Sequence, residues 1–172
     1  LEQHEALKSN ELVGIINKIK NSRIRLLFDF GNMVDADEDP IDALKTMSPY
    51  ITHVHMKGVN KDILKRGYGQ MGVLEGEDEL PQAMMLFDLL LLGKSSPQVK
   101  FYALEQEVGF YAPPFRFDNE KKNPLIPSRK PSITHFDKNK SIEENLLSEK
   151  RNAHKQVKYV KNLLKQMETV AK

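Results

Sequence analysis

Three short apolar segments, separated from one another by helical patterns, constrain the fold of this chain more than any other feature. They occupy residues 24–28, 51–56 and 99–104. Apolar runs of this length, bounded by polar or glycine-containing loops, are typical of buried strands. Because strands that alternate with helices indicate parallel βαβ units, the sequence predicts an α/β fold.

Two helices are predicted before the second strand. The first begins at a cap formed by Ser9 or Asn10 and carries apolar residues at helical spacing. Its apolar stripe consists of Leu12, Ile15, Ile16 and Ile19. The second begins at Asp39 and Pro40, a capping side chain followed by a proline in the first helical position.

Two further helices are predicted in the second half of the chain. The third runs from a cap at Asp78 to Gly93 and is apolar nearly all round, so it is expected to be well buried. The fourth begins at a capping box formed by Ser141 and Glu144. Its predicted apolar stripe consists of Leu146, Ala153, Val157, Val160, Leu164 and Met167.

Two long segments show no clear period. Residues 57–78 contain five glycines and are predicted to form one long functional loop. Residues 106–140 hold five of the nine prolines and are interpreted as an excursion from a single domain spanning 1–172. This excursion is expected to cover a pocket or a partner subunit, and the alternative is a solvated arm. Its cations, which could meet a substrate phosphate, are Arg116, Lys121, Lys122, Arg129 and Lys130.

Composition excludes several classes of function. The 26 basic and 24 acidic residues leave a formal net charge of +2, which does not favour nucleic-acid binding. The chain has no cysteine, so disulfides and thiolate metal sites are excluded. No apolar run is long enough to cross a membrane. We therefore expect a cytoplasmic protein that binds neither nucleic acid nor membrane.

Each predicted strand ends in a residue that can bind a metal ion. Asp29, His55 and Glu105 stand at these three positions, and His53 shares a strand face with His55. In barrels built from βα units, the chemistry lies at the carboxyl ends of the strands. The alternative is that these are ordinary polar strand ends, with Glu107 as a competitor for the role of Glu105.

These segments resemble the xylose-isomerase-like TIM barrels. The resemblance rests on FDFGN at 28–32, THVHMK at 52–57, LEGE at 74–77 and ALE at 103–105, with LEQH at 1–4 similar to the end of a preceding strand. It implies a (β/α)8 barrel of which this chain supplies the C-terminal half, about three strands and four helices. A complete barrel of this kind needs roughly 250 residues.

The resemblance also implies a site. The family's metal ligands fall on Glu2, Asp29, His55 and Glu105, and its ion is Mn²⁺, Mg²⁺, Co²⁺ or Zn²⁺, which suit oxygen and imidazole ligands. Substrate-binding positions fall on His4, Asn32, His53, Lys57 and Glu75. Asn32 stands where the family often has histidine, and Gly58 where it usually has aspartate. Both departures concern substrate contacts more than metal ligands.

The implied activity is isomerisation or epimerisation of a small sugar or sugar phosphate. Glu2 and Glu105 match the two glutamates that move a proton through an enediolate. A dehydratase acting on 3-dehydroshikimate or inosose is an alternative on the same metal site. A nuclease of the apurinic type needs several metal ions, and five histidines without a basic face disfavour it. The alternative of another class is an inactive, incomplete barrel.

The expectation of an incomplete barrel has a structural consequence. Three parallel strands would leave an inner sheet face without an opposite wall. The residues expected on that face are Leu27, Ile51, Phe101 and Ala103. Such a chain is expected to associate, either with itself as a homo-oligomer or with a missing N-terminal half.

Overall fold

The computed structural model of the chain describes residues 1–4, 7–62, 67–71, 79–105, 110–112 and 139–171. Within these ranges the chain forms five helices and six strands. In chain order they are α1 Ser9–Ile19, β1 Leu26–Asp29, α2 Asn32–Asp35, α3 Pro40–Met47, β2 Ile51–Met56, β3 Gly58–Asp62, β4 Gly67–Met71, α4 Gln82–Leu90, β5 Phe101–Leu104, β6 Phe110–Ala112 and α5 Ile142–Val170.

A parallel sheet organises the fold. Its strands pair in the order β1-β2-β5, which is the order of the sequence, and both pairings are parallel as predicted. Asp29 lies opposite His55 in the register, and His55 lies opposite Ala103. Glu2 forms a parallel bridge with Leu27 on the remaining edge of β1. The first residues of the chain therefore extend the row of parallel strands.

One face of this sheet forms the hydrophobic core. Leu26, Phe28, Val54 and Met56 are buried there in one cluster with apolar residues of five helices. The helical contributions are Leu12 and Ile16 of α1, Met33 of α2, Ala43, Leu44 and Met47 of α3, Met85, Leu86 and Leu89 of α4, and Val160 and Leu163 of α5. Full burial of a large apolar side chain contributes about 1.5–3 kcal/mol to folding. The alternation of helices and strands thus produces a two-layer α/β arrangement.

The opposite face of the sheet is more open. Phe101 is 64% exposed, Ala103 is exposed and Leu27 is partly exposed. These three residues were predicted to lie on the inner face of a barrel, which stays a prediction. The prediction for Ile51 was wrong, because this residue is completely buried. The pairing of β1 with β2 shifts register after Leu26, which places Ile51 opposite Leu26 on the core side.

The prediction of one long loop over residues 57–78 was wrong in its first half. The chain forms β3 and β4 there, two antiparallel strands that pair with each other, and β4 also pairs with β6. Three of the five glycines that indicated a loop lie inside these strands: Gly58 pairs with Met71, Gly67 pairs with Asp62, and Gly69 pairs with Asn60 and Tyr111. Residues 63–66 and 72–78, with the predicted cap Asp78, lie outside the described residues.

Two helix starts follow the predicted capping. The Asp39 carboxylate accepts hydrogen bonds from the backbone N–H groups of Ile41 and Asp42 at the start of α3. Ser141 and Glu144 form the reciprocal capping box of α5. For α1 the predicted cap, Ser9 or Asn10, was one or two residues late, since Lys8 occupies the cap position and its backbone N–H donates to the Glu11 carboxylate.

The buried faces of α4 and α5 differ from the prediction. The third helix is apolar nearly all round and was expected to be well buried, but α4 exposes Met84 and Phe87 while Met85 is buried. On α5 the predicted residues Leu146 and Val157 are exposed. Leu164 is exposed too, and the buried positions are Asn145, Gln156, Val160 and Leu163. Two of them are polar, so apolar periodicity alone missed the packed face.

No helix in the described part of the chain has the length and apolar character that a membrane span requires.

Candidate metal centre

The site begins with Asp29 at the end of β1. Its Oδ1 accepts hydrogen bonds from the backbone N–H groups of Gly31 at 2.8 Å and Asn32 at 2.9 Å. These bonds fix the carboxylate at the start of α2 and leave its Oδ2 directed toward the neighbouring strand ends. The side chain is completely buried. Asp29 is therefore a rigid ligand candidate whose second oxygen has no hydrogen bond among the described residues.

His55 lies beside Asp29 near the end of β2. Its Nδ1 is 3.9 Å from Asp29 Oδ2, 3.4 Å from Glu2 Oε1 and 2.6 Å from Glu105 Oε1. This nitrogen makes no well-directed hydrogen bond to any described residue, so the 2.6 Å approach is a close contact with poor N–H alignment. One imidazole nitrogen is thus surrounded by three carboxylates from three neighbouring chain segments.

Glu2, Asp29 and His55 form the tightest group. One ligand atom from each lies within 4.8 Å of the other two. Glu105, the fourth predicted ligand, does not belong to this trio but contacts its histidine and also Lys57, at 2.8 Å between Oε2 and Nζ. The structure brings the four predicted ligands to one end of the parallel sheet.

The electrostatics of the two acids differ. Burial raises the pKa of Asp29 from 3.8 to about 6, although Lys57 and two backbone N–H groups oppose the rise. Burial also disfavours ionisation of Glu105, but the hydrogen bond and charge of Lys57, with smaller contributions from His55 and His4, lower its pKa overall. Glu105 is therefore held as a carboxylate, whereas Asp29 ionises at a cost.

The donor set fits a divalent cation. Asp29 Oδ2 and His55 Nδ1 are buried polar atoms that lack a hydrogen bond among the described residues. The Lys57 ammonium, 3.1 Å from Asp29 Oδ2, compensates the charge of that oxygen in part, whereas burial of His55 Nδ1 without a hydrogen bond is costly unless another group binds it. Carboxylate oxygens with one imidazole nitrogen match Mn²⁺, Mg²⁺, Co²⁺ or Zn²⁺. An ion at this point would neutralise charge on the three carboxylates, and it would bind Asp29 Oδ2 and His55 Nδ1.

The residues predicted to bind substrate have different surroundings. His53 is exposed on the open sheet face, and its ring stacks on Phe101 with centroids 5.0 Å apart. His4 is exposed as well. Asn32 is buried, donates from Nδ2 to the Gln3 carbonyl and lies 3.4 Å from Lys57 Nζ through its Oδ1.

Several predicted positions cannot be placed. Glu75, the competing acid Glu107 and the five cations of the excursion lie outside the described residues. The described parts of the excursion are β6, which joins β4 at its edge, and residues 139–140.

Two buried glutamines hold the backbone of the site and were not predicted. Gln156 of α5 donates from Nε2 to the carbonyls of Glu105 at 2.7 Å and Met56 at 3.2 Å. Gln82 of α4 donates to the Lys57 carbonyl at 2.8 Å. Each glutamine interrupts an otherwise apolar helical stripe. This interruption could have indicated a buried amide that hydrogen-bonds to another part of the chain, because buried amides need partners.

The chain is similar in sequence to known proteins. The chain is 43% identical over 171 residues to the uncharacterized protein YihM of Escherichia coli (strain K12), which covers 99% of this chain and 52% of that protein. It is 32% identical over 78 residues to inosose dehydratase of Clostridium beijerinckii, which covers 42% of this chain and 26% of the dehydratase. No protein-family model matches the chain.

The fold is similar to about half of a solved xylose isomerase domain protein. The crystal structure of a xylose isomerase domain protein from Planctomyces limnophilus superposes with a TM-score of 0.61 at 14% identity, over 98% of this chain and 47% of that one. The chain thus spans about half the length of YihM and of this solved domain. The mixed α/β architecture with its parallel sheet matches the resemblance noted in the sequence.

Proposed function

We propose that this chain carries the metal site of a divalent-metal-dependent isomerase or epimerase acting on a small sugar or sugar phosphate. The observation that carries the proposal is the convergence of Glu2, Asp29 and His55 within 4.8 Å at neighbouring strand ends. Support for the sugar chemistry comes from the xylose isomerase-like fold and from the partial similarity to inosose dehydratase.

The exposure of the acids suggests separate roles. The side chains of Glu2 and Glu105 are each 31% exposed, whereas that of Asp29 is fully buried. A substrate in solution can meet the two glutamates, so we assign them the removal and return of a proton through an enediolate. Asp29 is left with ligation alone. The bound ion would polarise the carbonyl and neighbouring hydroxyl of the substrate.

The surrounding residues would bind and orient the substrate. His4 and His53 are exposed near this end of the sheet, and the ring of His53 stacked on Phe101 offers a flat apolar surface. Sugar rings and chains present C–H groups that pack on such surfaces. We retain Glu75 as a proposed substrate contact from the sequence resemblance alone.

A dehydratase is the second candidate, and the similarity to inosose dehydratase favours it. Elimination of water next to a carbonyl begins with the same proton removal, so the same glutamates would serve. In this case the second acid would protonate the departing hydroxyl instead of returning the proton to carbon. The site geometry is compatible with either outcome.

We further propose that the three parallel strands form one part of an eight-stranded barrel. The alignment of nearly the whole chain with 47% of the solved xylose isomerase domain supports this. The exposed residues Phe101 and Ala103 would then face the barrel interior.

Turnover assays distinguish these reactions. The purified chain, alone and together with any further part of the barrel it needs, is incubated with Mn²⁺ and a panel of ketoses and their phosphates. Separate reactions contain inosose and 3-dehydroshikimate. The reactions are run in deuterated water. Deuterium on a carbon of the product without loss of water identifies an isomerase or epimerase, and loss of water from the substrate identifies a dehydratase. Absence of both in a preparation with bound Mn²⁺ would refute the proposal.

A further inference from the structure

We propose that Lys57 is a positioning residue that serves as the built-in counter-ion of the metal site and opposes binding of the divalent cation. The inference rests on the proposed function, since it concerns the same carboxylates. Lys57 follows β2 directly, two residues after His55. From the sequence resemblance it was expected to contact substrate, but its surroundings favour a different role.

The ammonium group of Lys57 lies among the site's own oxygens. Its Nζ is 3.1 Å from Asp29 Oδ2, 2.8 Å from Glu105 Oε2 and 3.4 Å from Asn32 Oδ1, and the side chain is only 4% exposed. A buried ammonium is costly unless charges of opposite sign surround it. Here it bridges two of the four predicted metal ligands, so its charge is directed into the site.

The neighbouring residues fix the position of this lysine. A Cβ on Gly31 would lie 3.0 Å from both Cγ and Cδ of Lys57 and 3.1 Å from Val59, so glycine leaves the room that the lysine stem occupies. Gln82 holds the Lys57 carbonyl from the other side. The path of the side chain and the position of its backbone are therefore both fixed.

Charge balance defines what the lysine does. Glu2, Asp29 and Glu105 can carry three negative charges, which repel one another when they converge. Lys57 compensates one of them permanently, and a divalent cation compensates the other two. The loaded site is then formally neutral, and the protein without an ion keeps its carboxylates together.

The same geometry makes lysine and metal antagonists. A divalent cation held by Asp29 and Glu105 would share these carboxylates with the Lys57 ammonium, and the two positive charges would repel each other in a poorly screened site. Removal of the lysine charge therefore has two effects, and both make binding of a divalent ion more favourable. The metal-free protein is destabilised by unbalanced carboxylates, and a divalent ion gains more on binding. A lysine with a merely structural role would change stability without changing ion affinity.

The test compares Lys57→Met with wild type in the full chain. Thermal unfolding is measured without metal, and the Mn²⁺ dissociation constant is measured by calorimetry. We expect the metal-free Tm of Lys57→Met to fall by about 10 °C. Its Mn²⁺ affinity is expected to rise about tenfold or more. Lys45→Met is the matched control, because Lys45 pairs with Asp42 at 3.5 Å on the exposed surface of α3.

Two further variants separate the effect of the lysine charge from the effects of side-chain size and of failed folding. Lys57→Arg retains the charge and should keep the Mn²⁺ affinity near that of wild type even where its bulk lowers the Tm. If Lys57→Met does not fold, Lys57→Met/Glu105→Gln removes one charge of each sign and should recover folding. Failure of the double variant to recover any stability would overturn the counter-ion role.

The outcomes separate this inference from the proposed function. Unchanged or weaker Mn²⁺ binding by Lys57→Met, with wild-type binding intact, overturns the antagonism and leaves the metal site standing. Absence of Mn²⁺ binding in wild type refutes the proposed function and the antagonism with it. In that event the metal-free comparison of the single and double variants still decides whether Lys57 is the counter-ion.

Discussion

His55 and Glu105 meet at 2.6 Å between Nδ1 and Oε1, joining the end of β2 to the residue that follows β5. They are brought together by the parallel register, in which His55 pairs with Ala103 two residues before Glu105. Side chains two residues apart in a strand point to the same face. The contact is therefore a direct result of strand order, and the site depends on β5 remaining in register with β2.

Replacement of Glu105 tests its role in proton transfer. Glu105→Gln keeps an oxygen near His55 but removes the proton-accepting carboxylate. We expect turnover to fall by about 10²–10⁴-fold, while Mn²⁺ binding is weakened but retained. Steady-state kinetics and calorimetry on the same preparation measure both quantities.

The control for this variant is Glu168→Gln, an exposed glutamate near the end of α5. It should leave turnover and Mn²⁺ binding unchanged. Wild-type turnover in Glu105→Gln would move the proton-transfer role to another acid, and Glu107 is the first to examine.

The raised pKa of Asp29 predicts a pH dependence of stability without metal. Because the pKa rises from 3.8 to about 6, the folded protein binds more protons than the unfolded chain between these values. Stability from this group therefore falls as pH increases through about 6. The expected loss between pH 5 and pH 7 is about 1 kcal/mol, measured by urea unfolding at each pH.

Asp29→Asn should remove this slope, and a slope that persists in the variant would contradict the assignment. With Mn²⁺ present the dependence should reverse, since protons compete with the ion for the same oxygen. Glu105 has a lowered pKa and contributes in the opposite direction, but only below its ordinary value of 4.5. The range above pH 5 therefore lies outside the contribution of Glu105, and the comparison with Asp29→Asn identifies the part that belongs to Asp29.

Gln156 connects the long C-terminal helix to the site. Its amide donates to the backbone carbonyls of Met56 and Glu105 from a fully buried position. Gln156→Leu retains the size of the side chain but removes a donor from the buried hydrogen bond to Met56 and from the partly buried one to Glu105, which costs about 1–3 kcal/mol. We expect a lower Tm together with reduced turnover, because Glu105 loses its backbone support.

Val157→Gln is the control, because it changes the neighbouring residue of the same helical turn at an exposed position. It should change neither quantity by a measurable amount. Loss of Tm in Gln156→Leu with undiminished turnover would show that the contact is structural only.

The cap of α3 offers a change that should affect folding but not the site. Asp39 accepts hydrogen bonds from two backbone N–H groups at the helix start. Asp39→Ala should cost about 1 kcal/mol of unfolding free energy. Mn²⁺ affinity and turnover should remain those of wild type, and a change in Mn²⁺ affinity would indicate coupling between α3 and the site.

The sequence predicted the parallel sheet and the convergence of its strand ends because both depend on short-range signals. The apolar runs determine which segments become strands, and the residue that ends each run is fixed by position. Asp29, His55 and Glu105 are thus brought together by topology once the strands are parallel and adjacent. Capping at Asp39 and Ser141 is equally local.

What the sequence missed depends on tertiary partners. The glycines of β3 and β4 indicated a loop, since nothing local shows that another strand will pair with them. The buried face of α5 includes Gln156, which the predicted apolar stripe left out. Its amide donates to two carbonyls that are distant in sequence, and no local pattern indicates them. The resemblance implied that Lys57 binds substrate, which stays a prediction, and it did not indicate that the ammonium lies between Asp29 and Glu105, because that position follows only from the folded register.

The most direct test of a metal centre is a Mn²⁺ titration followed by electron paramagnetic resonance, comparing wild type with His55→Ala. His154→Ala is the matched control, because His154 is exposed on α5. We expect one saturable Mn²⁺ per chain in wild type and in His154→Ala, and at least a roughly tenfold weaker affinity in His55→Ala. Equal Mn²⁺ binding by all three proteins, or no saturable binding by wild type, would contradict a metal site formed by Glu2, Asp29 and His55.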